Sequence, residues 1–406
     1  MMVASETSTP RALEGVLVLD LSRILAGPTA TQLLGDLGAT VIKIENPKTA
    51  GDDTRRWGPP YVETPDGDSD LSAYFLAANR NKFSVAVDLS TAEGQDLVRK
   101  IAAQAQIVVE NYKPGGLDKY GLDYASLSAL NPSLVYCSIS GFGQTGPNRN
   151  RPGYDLMAQG FGGIMSITGA PDGPPMKVGV GVADLMCGMY ATVGILAALR
   201  HAEATGQGQQ IDLSLVDSQM AWLVNEGTNY LTSGDAPERR GNGHPNIAPY
   251  NVFATKDGHV ILAVGNDTQF QAFCRTFQRA DLAADARFAT NPLRLTHRDA
   301  LETAITETFQ TETSENIITA LAENSVPCGP IHTIDQALRS PQAAARDGVV
   351  KVMSTAAASG HVELLGNPLK LSKTPVQYAK SPPTFGEDSR VIFNLLAQHM
   401  SLRKSQ

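Results

Sequence analysis

The sequence has no pair of cysteines at the short spacing that binds zinc or exchanges disulfides. Its four cysteines are spread along the chain, and the closest two, Cys137 and Cys187, lie 50 positions apart. Motifs of the CxxC type are therefore absent. We expect buried, reduced thiols, as in a cytoplasmic protein.

An excess of basic residues is also missing. The chain has 33 Lys and Arg against 41 Asp and Glu, a net charge of −8. Nucleic acid is therefore excluded as the main partner, because binding a phosphate backbone requires a basic surface. The net charge is still compatible with a local basic pocket that binds a small anion. The seven histidines have no metal-ligand spacing, so we expect no metal site.

The sequence also has no long uninterrupted apolar run. The longest apolar stretch, residues 178–199, contains Asp184 and several glycines. This pattern predicts a buried segment that leads into a helix, not a membrane span. The first eleven residues are polar and have no apolar signal-peptide region. We therefore predict a cytoplasmic protein with no membrane partner.

Short apolar segments alternate with helical patterns in the first 140 residues. The chain is 42% hydrophobic and 18% charged, which is an ordinary globular balance. The predicted strands are residues 16–20, 41–45, 84–88, 107–110 and 134–139. Helical spacing over residues 28–37 and 91–105 separates some of them. Strands rich in Val and Ile that alternate with helices predict an α/β fold with a parallel sheet.

The length of 406 residues favours two domains. A hairpin pattern around residues 256–258 and mostly helical spacing over 269–324 indicate a second, smaller domain. The predicted boundaries are 1–224 for the large domain, 225–330 for the small domain, and 331–406 for a segment returning to the large domain. The insertion 46–70 is too long for a plain connection, and we expect it to be functional.

A GxGxxG motif runs from Gly141 to Gly146, directly after the fifth predicted strand. Dinucleotide-binding loops of this type follow the first strand and open a helix, where the pyrophosphate binds. Here Pro147 and Pro152 follow with only polar residues between them, so no helix is predicted to begin there. We interpret the motif as a glycine-rich loop.

Asp184 stands between a glycine-containing apolar segment and an apolar helical pattern. One interpretation is a helix N-cap, whose side chain binds free backbone amides. The other is a nucleophile, with glycines that let a substrate approach and a helix N-terminus that keeps the acid ionised. The two interpretations are compatible.

Motifs along nearly the whole chain resemble the family III CoA-transferases, the CaiB/BaiF group that includes formyl-CoA transferase and α-methylacyl-CoA racemase. These motifs are Leu13-Glu14-Gly15-Val16, Leu25-Ala26-Gly27-Pro28, Leu34-Gly35-Asp36-Leu37-Gly38-Ala39, Val41-Ile42-Lys43-Ile44-Glu45, Gly51-Asp52-Asp53-Thr54-Arg55, Asn79-Arg80-Asn81-Lys82, Val109-Glu110-Asn111-Tyr112, Gly153-Tyr154-Asp155, Thr205-Gly206-Gln207-Gly208-Gln209 and Pro327-Cys328-Gly329-Pro330. Residues 52–60 and Pro249-Tyr250 are most similar to transferases that use succinyl-CoA and a dicarboxylate.

The resemblance implies a Rossmann-like large domain built from both ends of the chain, a smaller α+β domain, and two interlocked subunits. It places the nucleophile at Asp184. CoA would pass from an acyl-CoA to a small carboxylic acid through a mixed anhydride and an aspartyl-CoA thioester. Such covalent catalysis requires neither a metal nor a tightly bound cofactor, since CoA thioesters are the substrates.

The resemblance also implies which residues contact CoA. They are Leu25, Ala26, Asn46, Leu89, Asn111, Tyr112, Lys113 and Lys119. The family commonly has a basic residue after the strand that ends at Glu45. This chain has Asn46 there, with Lys48 two positions on, which puts that phosphate contact in doubt.

Two alternatives remain open. A racemase of this family has a histidine at the position of Tyr154, and a phenol is a poorer base than imidazole at neutral pH. Tyr154 therefore favours transfer over racemisation, and we expect it to contact substrate. The second alternative is a non-catalytic acyl-CoA-binding protein.

A dicarboxylate acceptor would need a fixed cation for its second carboxylate. The candidates are Arg55, Arg56, Arg239, Arg240 and His244. The adjacent Gly241-Asn242-Gly243 loop could offer backbone N–H groups to an oxyanion.

Overall fold

A computed structural model describes residues 10–392 and 394, except residues 66 and 68. The chain divides into two compact units. The first comprises the described residues up to Ile164, Lys177–Leu223, and the described residues from Pro341 onward. The second comprises Met165–Met176 and Val224–Ser340. Residues 165–176 and 331–340 thus lie in the second unit, whereas the predicted boundaries place both segments outside the small domain.

The regular elements follow in chain order. Up to residue 223 they are β1 (Leu17–Asp20), α1 (Ala26–Asp36), β2 (Thr40–Glu45), α2 (Ala73–Leu76), β3 (Lys82–Ala86), α3 (Ala92–Ala102), β4 (Ile107–Glu110), α4 (Tyr124–Leu130), β5 (Val135–Ser140), α5 (Asp155–Phe161), α6 (Ile164–Ile167), α7 (Val182–Thr205), β6 (Gln209–Ser214) and α8 (Leu215–Ala221). Thereafter they are α9 (Val224–Ser233), β7 (Tyr250–Ala254), β8 (His259–Ala263), α10 (Asp267–Thr276), α11 (Ala280–Ala284), α12 (Asn291–Thr296), α13 (Arg298–Phe309), α14 (Ser314–Glu323), β9 (Cys328–Pro330), α15 (Ile334–Leu338), α16 (Pro341–Ala345), β10 (Val349–Met353) and β11 (His361–Leu365). Short 3-10 helices cover Pro47–Thr49, Asp53–Arg56, Asp118–Tyr120 and Ala286–Phe288.

The first unit is built on a six-stranded sheet with the order β3-β2-β1-β4-β5-β6. All five neighbouring pairs are parallel. This is the strand order of the Rossmann fold. The structure confirms the predicted α/β class and parallel sheet, and it adds β6 as the sixth strand.

Both faces of the sheet are buried, which explains the continuous apolar strands. Val18 points into a core that includes Ala30 of α1 and Ala191 of α7. Its neighbours Leu17 and Leu19 point into the opposite core, which contains residues of α3 and α4. Successive side chains of a strand alternate between faces, so a strand covered on both sides is apolar throughout.

Buried ion pairs hold the start of the long 46–70 insertion against the sheet. The Nζ atom of Lys43 lies 2.9 Å from Oδ2 of Asp52, and both side chains are fully buried. Arg55 donates hydrogen bonds to both carboxylate oxygens of Glu45 at 2.6 and 2.8 Å, and one to Asp70 at 2.9 Å. Arg55 is a candidate for binding an acceptor carboxylate, and this expectation is wrong because its guanidinium is buried and two protein carboxylates already occupy it.

The glycine-rich loop after β5 carries no helix at its glycines. Gly143 and Gly146 have positive φ values of 85° and 82°, and α5 begins only at Asp155. A Cβ atom on Gly141 would lie 2.7 Å from the Cα atom of Gly153, so glycine is required where the two ends of the loop meet. The prediction that no dinucleotide-type helix begins here is confirmed.

The second unit combines an antiparallel sheet with helices. Its three strands have the order β7-β8-β9, and β7 and β8 form the predicted hairpin. Phe253, Phe273 and Phe309 belong to its apolar core. This arrangement confirms the predicted α+β character of the smaller part.

The described residues after Pro341 return to the first unit. Strands β10 and β11 pair as an antiparallel hairpin. Arg80 binds Asp36 through two nitrogen–oxygen contacts of 2.8 and 2.6 Å and donates to the carbonyl of Leu365. The side-chain amide of Asn81 donates to the carbonyl of Gln377. The Asn79–Lys82 stretch thus fastens the C-terminal segment.

Among the described residues, one helix is long and apolar enough to cross a membrane, namely α7. More than half of its most apolar window is buried inside the protein. Core helices of globular proteins can be equally long and apolar.

Adjacent arginines in the insertion give a direct test of the buried pair. Arg55 is 1% exposed, whereas Arg56 is exposed on the surface. Arg55→Ala leaves the Glu45 charge buried and unpaired, so we expect a loss of about 3–5 kcal/mol in the free energy of unfolding. Arg56→Ala is the matched control and should change it by less than about 0.5 kcal/mol. Urea unfolding of both variants measures the difference, and equal losses would contradict this account.

Candidate active site

Asp184 is the third residue of α7, and it is 8% exposed. The N-cap position belongs to Gly181, which has no side chain with which to cap the helix. The interpretation of Asp184 as the N-cap is therefore wrong. The helix begins at Val182, two residues before Asp184, so the Asp184 carboxylate does not cap it.

A different carboxylate caps α7. Oδ1 of Asp155 accepts a hydrogen bond from the backbone N of Ala183 at 2.8 Å and a longer one from that of Asp184 at 3.4 Å. Its Oδ2 accepts from Nε2 of Gln159 at 2.7 Å. The first residue of α5 thus satisfies amides that an N-cap side chain would otherwise bind.

The pKa of Asp184 is raised from 3.8 to about 7. Burial is the largest cause, and the charge of Asp155 adds to it. The sequence suggested that the helix N-terminus would keep this acid ionised. That expectation is wrong, because burial and the neighbouring charge of Asp155 raise the pKa of Asp184 above its ordinary value.

Asp184 lines a cavity of about 350 Å³ in the first unit. Six other residues predicted to bind CoA or substrate line the same cavity, namely Leu25, Ala26, Asn111, Tyr112, Lys113 and Tyr154. They come from the β1–α1 turn, the end of β4 and the loop before α5. The structure therefore brings together residues that are up to 159 positions apart, from Leu25 to Asp184.

Side-chain contacts hold the ends of this wall in place. The side-chain amide of Asn111 donates to the carbonyl of Arg23 at 2.7 Å, and its Oδ1 accepts from the Arg23 backbone N at 2.9 Å. Oε2 of Glu110 accepts from the backbone N of Tyr112 at 2.8 Å. These bonds join the turn after β1 to the end of β4, so the wall is preformed.

Four predicted residues of the first unit do not line this cavity. Asn46 accepts a hydrogen bond from the backbone N of Lys48 and so caps a 3-10 turn. Leu89 packs against the apolar core. Lys119 is exposed, with its Nζ 4.8 Å from the centre of the Tyr120 ring. The fourth, Arg56, is exposed, and no ion pair is found for it within the described residues.

The remaining candidates belong to the second unit. Arg240 forms an ion pair of 2.9 Å with Glu226. The Gly241 backbone N donates to the carbonyl of Gly169, and Asn242 is exposed. Nδ1 of His244 accepts from the backbone N of Asn246, and burial lowers the pKa of this histidine.

Arg239 was also a candidate acceptor cation. Its guanidinium donates to three backbone carbonyls of the second unit, those of Ser166, Ala170 and Gly173. It therefore supports the 165–176 segment, and the expectation that it binds an acceptor is wrong.

The sequence analysis did not single out Arg23, Arg151 or Asp155, the residue that caps α7. Arg23 and Arg151 line the cavity with Lys113, which gives its wall three cations. Arg23 also forms an exposed ion pair of 2.7 Å with Asp53. The guanidinium of Arg151 lies 5.2 Å from the centre of the Phe142 ring. Asp155 directly follows Tyr154 in the Gly-Tyr-Asp motif, and this adjacency was the available signal for it.

Within the described residues, no three His, Cys, Asp or Glu side chains lie together in a group that could hold a metal ion. All four cysteines are free, and Cys137, Cys187 and Cys274 are buried.

A comparison with known families identifies the family of the chain. The family model "CoA-transferase family III" matches residues 13–389. The chain belongs to this family. The resemblance predicted from its motifs is confirmed, and the protein is an enzyme of the CoA-transferase class.

Several relatives share most of the chain. It is 49% identical to the succinate–glutarate CoA-transferase of Agrobacterium fabrum, over 92% of this chain and 93% of that protein. It is 40% identical to the succinyl-CoA:glutarate CoA-transferase of Mus musculus, over 96% of this chain and 87% of that protein. A CaiB/BaiF family protein from Brucella suis has a similar crystal structure, with a TM-score of 0.84, 44% identity, and coverage of 95% and 99% of the two chains.

The burial of Asp184 predicts a stability cost that depends on pH. Its pKa is about 7 when folded but near 3.8 when unfolded, so the folded state keeps a proton that the unfolded state releases. The free energy of unfolding therefore decreases, through Asp184, as the pH rises from about 4 to about 7. Asp184→Asn should therefore raise the free energy of unfolding by about 2–4 kcal/mol at pH 8.

Thermal unfolding of parent and variant across this pH range measures the effect. The gain from Asp184→Asn should shrink as the pH falls towards about 4. A difference in Tm that is the same at every pH would show that Asp184 titrates normally.

Proposed function

We propose that this family III CoA-transferase moves CoA from succinyl-CoA to a dicarboxylic acid of about the size of glutarate. The observation that carries the proposal is the Asp184 carboxylate in the wall of a cavity lined by the residues expected to bind CoA. The names of the relatives at 40–49% identity support succinyl-CoA and glutarate as the substrate classes.

The proposed reaction is two acyl exchanges on Asp184. The carboxylate attacks the thioester carbonyl of succinyl-CoA, the C–S bond breaks, and a succinyl–aspartyl anhydride and CoA thiolate form. The thiolate then attacks the aspartyl carbonyl of the anhydride, releasing succinate and leaving an aspartyl-CoA thioester. The acceptor carboxylate repeats the two steps in reverse order and leaves with CoA. No net proton is consumed, and the steps need no tightly bound cofactor.

The environment of Asp184 suits these steps. A carboxylate held away from water reacts without first losing a full hydration shell. A raised pKa also makes the ionised carboxylate a stronger nucleophile, at the cost of a smaller ionised fraction at neutral pH. We propose that substrate enters with Asp184 ionised, so the rate should increase through about pH 7.

CoA has phosphate groups, and the cavity has cations to meet them. We propose that Lys113 and the newly found Arg23 and Arg151 bind these phosphates, while Leu25, Ala26, Asn111 and Tyr112 contact the rest of CoA. Asn46, Leu89 and Lys119 stay proposals that rest on the resemblance alone. Tyr154, 58% exposed in the cavity wall, is proposed to contact the acyl group.

Exposed apolar side chains support the interlocked homodimer that the resemblance implies. On α5 and α7 of the first unit they include Leu156, Phe161, Met189 and Val193, each between 44% and 62% exposed. Apolar groups in such number are typical of a surface that another subunit covers. A solution mass by light scattering near twice 43.1 kDa supports the dimer, and a mass of one chain contradicts it.

The free cysteines support a reducing, cytoplasmic location.

The proposed transfer is tested by incubating the enzyme with succinyl-CoA and a panel of carboxylic acids, with mass detection of new thioesters. The parent should form glutaryl-CoA, and Asp184→Ala should lose more than tenfold in rate, a barrier increase above about 1.4 kcal/mol. Asp217→Ala removes an exposed acid from the first turn of α8 and is the matched control. If Asp184→Ala retains transfer, the assignment of Asp184 as the nucleophile is wrong. If the parent inverts the α-carbon of an α-methylacyl-CoA, the racemase alternative is favoured.

The acceptor's second carboxylate is proposed to bind Arg56 or Arg240. Arginine binds a carboxylate through two parallel hydrogen bonds, and such charged bonds are worth about 1.5–3 kcal/mol. At least one of Arg56→Ala and Arg240→Ala should raise KM about tenfold for glutarate but little for a monocarboxylate of equal length. Gly241, Asn242 and His244 remain proposed acceptor contacts beside Arg240. If both variants weaken both acids alike, the dicarboxylate assignment is wrong.

A further inference from the structure

We propose that Asp155 and Gln159 of α5 are positioning residues for Asp184, fixing the turn that carries it and placing a negative charge beside it. The kinetic part of this inference rests on the proposed function. The coupling between Asp155 and Asp184 does not, and it can be measured without any turnover.

The first step of the argument is the geometry of the turn. Gln159 is fully buried, and its Oε1 accepts a hydrogen bond from the backbone N of Val178 at 2.8 Å. Its Nε2 donates to Oδ2 of Asp155 at 2.7 Å, and Oδ1 of Asp155 holds the backbone N of Ala183. These two side chains therefore bind both ends of the segment from Val178 to Ala183.

The segment needs such external support. It contains Gly179 and Gly181, and glycine loses more backbone freedom on ordering than any other residue. A side-chain cap from Gly181 itself is impossible, so the first turn of α7 depends on a residue of another helix. A misplacement of the reacting group by about 1 Å can cost a hundredfold in rate.

The second step is the charge. Besides burial, the charge of Asp155 raises the pKa of Asp184. Other titratable or charged groups on the surrounding elements include Asp36 of α1, Tyr74 of α2, Tyr136 and Cys137 of β5, Cys187 and Tyr190 of α7, Asp212 of β6, Asp217 of α8, and Arg23, Tyr112, Lys113, Arg151 and Tyr154 of the cavity wall. The same carboxylate thus orders the Asp184 backbone and opposes ionisation of its side chain.

Three variants separate these two effects. Asp155→Asn keeps an Oδ1 acceptor for the α7 amides and removes the charge, but its side-chain NH₂ replaces the oxygen that accepts from Nε2 of Gln159, so that hydrogen bond is lost as well. Asp155→Ala removes both, and Gln159→Leu leaves the charge but cuts the connection to Val178. Asp123→Asn is the matched control, since Asp123 caps α4 of the same unit through the backbone N of Ser126.

The decisive measurement is a carboxyl ¹³C NMR titration of Asp-labelled protein, with the Asp184 resonance assigned from Asp184→Asn. Asp155→Asn should lower the pKa of Asp184 below about 7, because a like charge beside the carboxylate is removed. Asp123→Asn should leave it unchanged. An Asp184 resonance that titrates at the same pH in Asp155→Asn and the parent overturns the charge coupling, whether or not the enzyme transfers CoA.

Kinetics test the positioning. The acid limb of the kcat/KM profile should move to lower pH in Asp155→Asn, in parallel with the NMR titration. Gln159→Leu should lower kcat about tenfold or more with KM for succinyl-CoA within about threefold, and Asp155→Asn should recover activity relative to Asp155→Ala. Unchanged kcat in folded Gln159→Leu overturns the positioning role. A parent without transfer to any acid would refute the proposed function instead, leaving the NMR result to decide the coupling.

Discussion

The account depends on how the first turn of α7 is capped. A helix normally begins with a side chain of its own that binds the free amides, and that arrangement would have made Asp184 a structural acid. Here Asp155 binds these amides from α5, 29 positions earlier in the chain. Asp184 is thereby released from capping, yet it stays buried in a fixed position beside a second negative charge.

Buried charges of opposite sign serve the rest of the first unit in a similar way. Asp20 and Lys82 form an ion pair of 3.1 Å, and Lys43 pairs with Asp52. For Glu45, burial raises the pKa, but the hydrogen bonds and charge of Arg55 outweigh burial and lower the pKa below its ordinary value. These pairs are satisfied inside the protein. The Asp20–Lys82 pair joins β1 to β3, whereas the Lys43–Asp52 and Glu45–Arg55 pairs fasten the 46–70 insertion to the sheet. Asp184 differs from them because no cation is paired with it within the described residues, which suits the proposed role as nucleophile.

The sequence predicted the parallel sheet because each of its central strands is apolar on both faces, a pattern that local residues reveal. It predicted the cavity wall only through family motifs, since Leu25 and Asn111 are brought together by the strand order. It could not distinguish Arg55 from Arg56. These neighbours have the same chemistry, and only the position of Glu45 in the folded sheet decides which one is buried. The sequence also suggested Asp184 as the N-cap of α7, because the residue that caps this helix, Asp155, lies on another helix that is distant in the sequence.

The most direct test of the central claim is chemical trapping of acylated Asp184. The enzyme is mixed with succinyl-CoA in the presence of hydroxylamine, quenched, digested, and examined by mass spectrometry. An anhydride or thioester on Asp184 would be converted to a hydroxamate, so the account predicts a mass shift confined to the peptide that contains Asp184. An unmodified Asp184 peptide from enzyme that is turning over, or a hydroxamate at another acid, would contradict the claim that Asp184 is the nucleophile.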